Sequence, residues 1–189
     1  MISMISLNLL GSIFFLFLFW SRVNFVFEMG WQGTAYALII LQSGMAGVLI
    51  VINAKPIKDA GFKAAIAAWI CAVLPLLFRG SGGSAYFVIP GLLLMMWALI
   101  TLGKSFSVVP DDRGLIQNGP YQLIRHPMYA GELLSYLGIC ISPLLLQNIL
   151  VFLLILSLIV YRIVVEERVV EGYMSYSQSV RWRLVPYVW

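Results

Sequence analysis

Most of the side chains that could do chemistry lie in the second half of this 189-residue sequence. Seven of the twenty charged residues lie in residues 1–103, and thirteen lie in the shorter remainder. One cluster combines Arg162 with the adjacent acids Glu166 and Glu167. In a helix Arg162 and Glu166 share a face, whereas Glu167 points about 100° around the axis. Because adjacent carboxylates beside a membrane must be solvated, paired or bound to a cation, this cluster is either a solvated helix end with an Arg162 to Glu166 pair or a site for a cationic group.

The pair His126-Pro127 also has two interpretations. Proline is favoured at the first position of a helix, because its missing N–H would be unpaired there anyway. Arg125 and His126 therefore either open a helix at the membrane surface or line a site there. Glu132 is the one acid inside that predicted helix, about 7.5 Å along the axis from Pro127. It lies either at headgroup level or in the bundle interior, where a carboxylate indicates function.

The C-terminal sequence VRWRLVPYVW places Arg183 in an aromatic setting. Tryptophan, tyrosine and arginine collect at membrane interfaces, which would make this segment an interfacial belt. A planar guanidinium also binds anionic groups in a fork, which would make Arg183 a site residue. The spacing is compatible with both.

A metal centre is not expected. The chain has a single histidine, and its two cysteines, Cys71 and Cys140, each lie inside an apolar run without a second thiol or histidine at ligand spacing. We predict that both cysteines are packed core residues.

The composition places these groups in a membrane protein. Hydrophobic residues make up 61% of the chain and charged residues 11%, whereas soluble domains contain roughly 45–50% and about 25%. Uncharged runs cover residues 1–21, 29–54, 64–78, 80–103 and 133–161, and a membrane span needs roughly 20 apolar residues. This pattern excludes a soluble cytosolic domain, a disordered chain, a disulfide scaffold and a DNA-binding module. The net charge of +4 does not indicate a nucleic-acid partner, because the Lys and Arg residues stand singly at the ends of the runs.

The predicted fold is an all-α, polytopic transmembrane bundle in one integral membrane domain covering residues 1–189. N-terminal helices occupy residues 1–103, and the catalytic half occupies 104–189. About six spans are expected, near residues 5–21, 33–52, 62–78, 84–103, 127–142 and 148–165. The last two form a helical hairpin, because Ser142-Pro143 interrupts a run too long for one span.

Positive charges near the helix ends predict the orientation. Lys and Arg favour the connections at 53–63 and 104–126 and the C-terminal tail, so both termini and the 104–126 connection are expected on the cytoplasmic side. Residues 1–21 have no basic start and no small-residue cleavage site, so this segment is expected to remain as a membrane anchor.

Several motifs follow one another in a fixed order through residues 104–189: Phe106 to Val109, Asp112 to Gly114, Gly119-Pro120-Tyr121, Arg125-His126-Pro127 with Tyr129 and Gly131, Glu166-Glu167, and Arg183-Leu184-Val185-Pro186. Together they resemble the isoprenylcysteine carboxyl methyltransferase family, and in particular its bacterial members. The first four helices are similar to that family in hydropathy alone.

The resemblance implies S-adenosylmethionine as methyl donor, in a cytoplasmic cofactor pocket covered by the C-terminal segment. Glu166 and Glu167 become candidates for holding the donor's ammonium group. Tyr121, Arg125, His126 and Tyr129 become candidates for lining its pocket, and Arg183 and Glu132 become the candidate catalytic residues, with Arg183 engaging a carboxylate of donor or substrate. One departure from the family is the short segment after the two acids. Only five residues separate Glu167 from Tyr173, and Tyr176 follows three positions later, so the roles of both tyrosines stay open.

Methyl transfer needs no metal and no Ser-His-Asp arrangement, which suits this inventory of residues. The implied acceptor is a lipophilic or small carboxylate, thiol or amine, with a prenylcysteine-like carboxylate favoured by the family, in a membrane expected to be a bacterial inner membrane. The alternatives are a nicotinamide-dependent reductase of the sterol type and a non-catalytic membrane partner or transporter. The first normally has additional helices, and a transporter more often shows two matching halves. The sequence does not fix the oligomeric state.

Overall fold

The computed structural model describes residues 11–20, 44–79 and 83–189. No strand occurs in these residues, so the predicted all-α class is confirmed. Their seven α-helices are α1 (Gly11–Trp20), α2 (44–52), α3 (Phe62–Val73), α4 (Ala85–Leu102), α5 (Pro127–Cys140), α6 (Leu146–Val169) and α7 (Tyr173–Ser179).

Among the boundaries that fall on described residues, the predicted ones hold within a few residues except at the end of α6. A short 3₁₀ turn, Leu74–Leu77, extends α3 to cover the expected range. The break at Ser142-Pro143 separates α5 from α6, as the predicted hairpin requires. Helix α6 ends at Val169 instead of 165, because no breaker follows the two acids until Gly172 adopts a left-handed conformation with φ of 74°. Both acids therefore lie inside α6. Residues 5–10, 21 and 33–43 of the predicted first two spans lie outside the described residues.

Two stretches are long and apolar enough to cross a membrane, Ala85–Ser105 and Leu146–Val169, in the part of the chain that the structure describes. Helix α5 has 14 residues, which at 1.5 Å per residue is about 21 Å, shorter than the roughly 30 Å hydrocarbon core. The number of spans therefore remains a prediction.

Helices α4 and α5 pack with their backbones in close approach. A Cβ added at Gly131 would lie 2.5 Å from the Gly91 carbonyl oxygen and 2.7 Å from the Met95 nitrogen. A Cβ at Gly138 would lie 3.0 Å from the Ser84 carbonyl oxygen. Small residues at helix contacts are typical of membrane bundles, where packing replaces the hydrophobic effect between helices. This contact fixes the start of α5, which carries His126 and Tyr129 to the site.

Helix α6 packs its buried face on α3 and α5. Ile155, Ile159 and Ile163 recur every four residues and are fully buried in one cluster with Cys71 and Tyr129. Both cysteines are free and buried, with Cys71 0% exposed and Cys140 5% exposed, so the prediction that they are core residues is confirmed.

The long connection between α4 and α5 is ordered by backbone pairing with the connection that precedes α3. The Ala54 N–H donates to the Lys104 carbonyl at 2.7 Å, and Asp112 exchanges two bonds with Ile57 and Lys58. The Arg113 guanidinium also donates to the Ala54 carbonyl. These contacts hold residues 105–113 across the bundle end at which α5 begins and α6 ends.

Candidate functional site

Glu167 lies at the centre of an ion cluster formed by three separate parts of the chain. Arg183 donates to its carboxylate through two parallel hydrogen bonds, from Nε to Oε1 and from Nη2 to Oε2, each 2.9 Å long. The Arg125 Nη1 lies 3.1 Å from Oε1. Bidentate, charge-assisted bonds of this kind are among the strongest that side chains form. The Glu167 side chain is 13% exposed. These contacts therefore occupy most of the hydrogen-bond acceptor capacity of its carboxylate.

Backbone hydrogen bonds align the C-terminal segment with the start of α5. The Arg125 N–H donates to the Trp182 carbonyl at 2.8 Å, and the His126 N–H donates to the Arg183 carbonyl at 2.9 Å. Beyond this pair, the chain turns so that the Arg183 and Leu184 N–H groups both donate to the carbonyl of Trp189. The segment therefore reaches Glu167 as an ordered structure rather than as a free interfacial belt.

His126 and Tyr173 complete the surroundings of Glu167. The Tyr173 hydroxyl lies 2.8 Å from His126 Nε2 and donates to Glu167 Oε1 at 3.3 Å. The His126 ring lies between those of Tyr129 and Tyr173, with centroids 5.6 and 6.0 Å away. Burial raises the pKa of Tyr173 above its usual range, so its hydroxyl stays protonated and available as a donor.

The neighbouring acid Glu166 has a different environment. Its side chain is 30% exposed, the Tyr129 hydroxyl donates to its Oε2 at 3.0 Å, and His126 Nδ1 lies 4.0 Å from the same oxygen. The expected pair with Arg162 does not form: Arg162 instead donates to the Val108 carbonyl at 2.7 Å. This alternative interpretation of the cluster is therefore wrong, because the 104–110 segment reaches α6 and takes the guanidinium. Glu166 retains acceptor capacity that Glu167 lacks.

Glu166 opens onto a cavity between the 105–111 segment, the start of α5 and the end of α6. We call it the outer cavity. Apolar surface comes from Leu102 and Met128, and polar groups come from Ser105, Ser107, Asp111, Tyr121, His126 and Tyr129.

A second cavity lies further along α5 and α6 from the bundle end that carries Glu166, and we call it the inner cavity. Glu132 and Arg162 are the charged residues that line it, and the Tyr136 hydroxyl donates to Glu132 Oε1 at 3.1 Å. The rest of the lining is mainly apolar, with contributions from Phe15, Ala72, Met95, Leu99, Phe106 and Val108. Glu132 therefore faces a cavity inside the bundle.

The structure divides the eight predicted site residues into three groups. Four of them line the outer cavity: Tyr121, His126, Tyr129 and Glu166. Arg125, Glu167 and Arg183 form the adjoining ion cluster, in which His126 also takes part. Glu132 alone lies on the inner cavity, so the two candidate catalytic residues, Arg183 and Glu132, are not brought together. The roles of all eight remain predictions.

Two tyrosines whose roles the sequence left open have defined contacts. Tyr173 contacts His126 and Glu167, and Tyr176 is 2% exposed and donates to the Tyr121 carbonyl at 2.5 Å. Their i, i+3 spacing places both on one face of α7. That spacing was a usable signal, although the direction in which α7 turns depends on Gly172.

Asp112 is a further residue that sequence reasoning did not select. It is 2% exposed, and its carboxylate accepts hydrogen bonds from the N–H groups of Gly114 at 3.0 Å and Glu171 at 2.9 Å. It thus ties the connection before α5 to the turn that leads into α7. The charged run Asp-Asp-Arg is the only sequence signal for this role.

A comparison with known families matches the part of the chain that contains most of these site residues. A family model described as phospholipid methyltransferase matches residues 82–178, just over half of the sequence. The match runs from before α4 to the end of α7 and includes every predicted site residue except Arg183. No curated protein matches the chain closely enough to be considered a relative.

Proposed function

The chain belongs to the phospholipid methyltransferase family, and from this premise we propose that this membrane methyltransferase binds S-adenosylmethionine in the outer cavity. Membership also supports an enzyme over a transporter or a non-catalytic partner. The observation that carries the proposal is the outer cavity itself, where a partly free carboxylate, three aromatic side chains and several hydroxyl groups converge.

The chemistry of the lining residues fits this donor. The Glu166 carboxylate suits the ammonium of the methionine part, because one oxygen is hydrogen-bonded by Tyr129 and 30% of the side chain is exposed. Ser105, Ser107 and Asp111 offer hydrogen-bonding groups for a ribose. Leu102, Met128 and the aromatic rings offer apolar surface for a purine.

Glu167 and Arg183 act differently from Glu166 in this proposal. Each satisfies the other, so together they hold the C-terminal segment against α5 and α6 beside the outer cavity. His126 links the two carboxylates, with Nε2 3.4 Å from Glu167 and Nδ1 4.0 Å from Glu166. The ion cluster thereby orients the ring that lines the donor site.

When bound, S-adenosylmethionine supplies a methyl group on a sulfonium, and transfer to a nucleophile leaves the electron pair of the broken C–S bond on sulfur. Positive charge is lost on the way to products when the nucleophile is an anion. A site of low polarity therefore favours the transition state over the charged reactants. Met128 and Tyr129 supply such surroundings next to the membrane interior.

The acceptor in this proposal is a lipophilic molecule whose reactive group is a carboxylate, thiol or amine. Its apolar part lies in the inner cavity, where Phe106, Met95 and Leu99 provide apolar walls and Glu132 and Arg162 provide polar contacts for the reactive end. Among these acceptors, the resemblance to isoprenylcysteine carboxyl methyltransferases favours a prenylcysteine-like carboxylate. We propose that the site and both chain termini lie on the cytoplasmic side of a multi-pass protein in a bacterial inner membrane, and the positive charges on the connections support this orientation.

Ligand-dependent thermal stabilisation of the detergent-purified protein tests the donor assignment. A ligand that binds only the folded state raises apparent stability, by about 2.7 kcal/mol at a hundred times its Kd. We expect S-adenosylmethionine and S-adenosylhomocysteine to raise the unfolding temperature, and NADPH at the same concentration to leave it unchanged. Stabilisation by NADPH alone would favour the sterol-type reductase over the methyltransferase.

A further inference from the structure

Residues 105–109 form a wall between the two cavities and show a different side to each. Ser105, Ser107 and Val109 line the outer cavity, whereas Phe106 and Val108 line the inner cavity. Ser105 ends a 3₁₀ turn, and Phe106 follows it with extended backbone angles, φ −64° and ψ 134°. Neighbouring side chains of extended backbone point to opposite sides, as those of Phe106 and Ser107 do here. Exposure alternates in the same way: Phe106 is 5% and Val108 8% exposed, and the two serines are half-buried.

On the two helices beside this wall, the side chains that line the outer cavity and those that line the inner cavity are separated at the same level. On α6, Glu166 lines the outer cavity and Arg162, one turn earlier, lines the inner cavity. On α5, Tyr129 and Glu132 are separated in the same manner. Met128 lines both cavities, so they adjoin at this residue.

Arg162 fixes the wall in place. Its Nη2 donates to the Val108 carbonyl at 2.7 Å, and its guanidinium lies 4.9 Å from the centroid of the Tyr129 ring. The residue is 4% exposed. A buried carbonyl that loses a charged donor is left without a partner, which costs free energy and loosens the segment.

We propose that residues 105–109 are a partition that separates the polar donor cavity from the apolar acceptor cavity, and that Arg162 is the positioning residue that holds this partition closed. The proposal rests on the proposed function, because it takes the outer cavity as the donor site. The partition keeps a charged, water-soluble donor out of the inner cavity and leaves the Met128 junction as the place where the two ligands meet.

Single cysteines along the partition test this arrangement without an activity assay. The variants Ser105→Cys, Phe106→Cys, Ser107→Cys and Val108→Cys are labelled by a charged methanethiosulfonate and, separately, by uncharged N-ethylmaleimide, with and without S-adenosylhomocysteine. The native chain is labelled in parallel, and any reaction of Cys71 and Cys140, which are 0% and 5% exposed, is subtracted as the baseline. The four positions also provide two independent pairs, should one variant fail to fold.

We expect the charged reagent to label positions 105 and 107 but not 106 and 108. With the ligand at about ten times its Kd, labelling at 105 and 107 should slow about tenfold, because only the unliganded fraction reacts. Uncharged maleimide at position 108 should react at the same rate with and without the ligand. Equal protection at odd and even positions, by protein that binds the ligand, would overturn the partition and leave the donor site standing. Absence of ligand binding in the native chain would overturn the proposed function itself.

The role of Arg162 is tested in the Val108→Cys background. Arg162→Met should admit the charged reagent to position 108, whereas Arg162→Lys, which keeps one cationic donor, should restore most of the protection. Arg168→Met, an exposed change on the same helix, serves as the matched control. Unchanged exclusion of the charged reagent in folded Arg162→Met protein would contradict the positioning role.

Discussion

Arg183 donates two parallel hydrogen bonds of 2.9 Å to the carboxylate of Glu167, which lies 16 positions earlier in the chain. The pair joins the C-terminal segment to the end of α6, and the bond to the Glu167 carboxylate raises the pKa of Arg183. The guanidinium also lies over the Trp189 ring, 5.1 Å from its centroid. Arg183 is therefore paired with Glu167, an acid that the resemblance had suggested for the ammonium group of the donor.

Replacing Arg183 should damage the donor site more than the bundle. In Arg183→Ala, Glu167 loses its bidentate partner and the C-terminal segment loses its anchor, so affinity for S-adenosylhomocysteine should fall by about tenfold or more, the equivalent of about 1.4 kcal/mol. Titration calorimetry and thermal unfolding of the same preparation measure both effects. Arg181→Ala removes an exposed guanidinium two residues away and should change neither. A similar loss of folded protein in both variants, without a separate effect on affinity, would mean that the segment is only an interfacial belt.

Tyr173→Phe tests the hydroxyl that lies between His126 and Glu167. The ring contact with His126 is retained, whereas the hydrogen bonds at 2.8 and 3.3 Å are lost. Ligand affinity should fall while the unfolding temperature changes little. Because burial raises the pKa of Tyr173, its hydroxyl stays protonated as the pH rises through 9. The affinity of the native protein for the ligand should therefore not fall at alkaline pH through ionisation of Tyr173. A fall in affinity that occurs in the native protein and is absent in Tyr173→Phe would contradict the buried environment assigned to this tyrosine.

Glu132→Gln should reduce methyl transfer without weakening binding of the donor, because Glu132 lines only one of the two cavities. Glu132 lines the inner cavity with Arg162 and accepts a bond from Tyr136, and it does not line the outer cavity. The variant should bind S-adenosylhomocysteine like the native protein and transfer less labelled methyl to a lipid extract. Loss of ligand affinity in a folded variant would show that Glu132 takes part in the donor site.

Asp112→Asn tests the link between the 104–126 connection and α7. The carboxylate accepts two backbone N–H groups, and one amide oxygen with an adjacent NH2 group cannot replace both acceptors. The apparent free energy of unfolding should fall by about 1–3 kcal/mol, the usual cost of an unsatisfied buried group. The exposed Glu171→Gln is the control for thermal unfolding. An unfolding temperature equal to that of the native protein would mean that the two bonds contribute nothing.

The start of α5 and the helical hairpin could be predicted because their signals are local. Pro127 fixes a helix start, and Ser142-Pro143 interrupts an apolar run. The presence of two acids near the end of α6 was equally visible. The different environments of these two acids could not be predicted. Glu166 and Glu167 point about 100° apart around α6, and this difference matters only because the C-terminal segment lies on the Glu167 side of the helix.

Long-range contacts explain the remaining differences. A pair between Arg162 and Glu166, one turn apart on α6, was one of two interpretations of the sequence, but Arg162 Nη2 donates instead to the Val108 carbonyl, 54 positions away. No periodicity in the sequence brings residues 105–109 to that helix. Glu132 could be identified as the one acid inside the predicted fifth helix, whereas its separation from the other candidates follows from its place on the inner cavity.

The most direct test of the donor site is calorimetric titration of the detergent-purified protein with S-adenosylhomocysteine, beside Glu166→Gln and the control Glu171→Gln. Glu166 lines the outer cavity and is proposed to hold the ligand's ammonium, whereas Glu171 is exposed outside it. We predict binding by the native protein, affinity at least about tenfold weaker for Glu166→Gln, corresponding to about 1.4 kcal/mol or more, and no change for Glu171→Gln. Folded native protein that binds no ligand, or Glu166→Gln protein that binds as tightly as the native chain, would contradict the assignment of the outer cavity as the donor site.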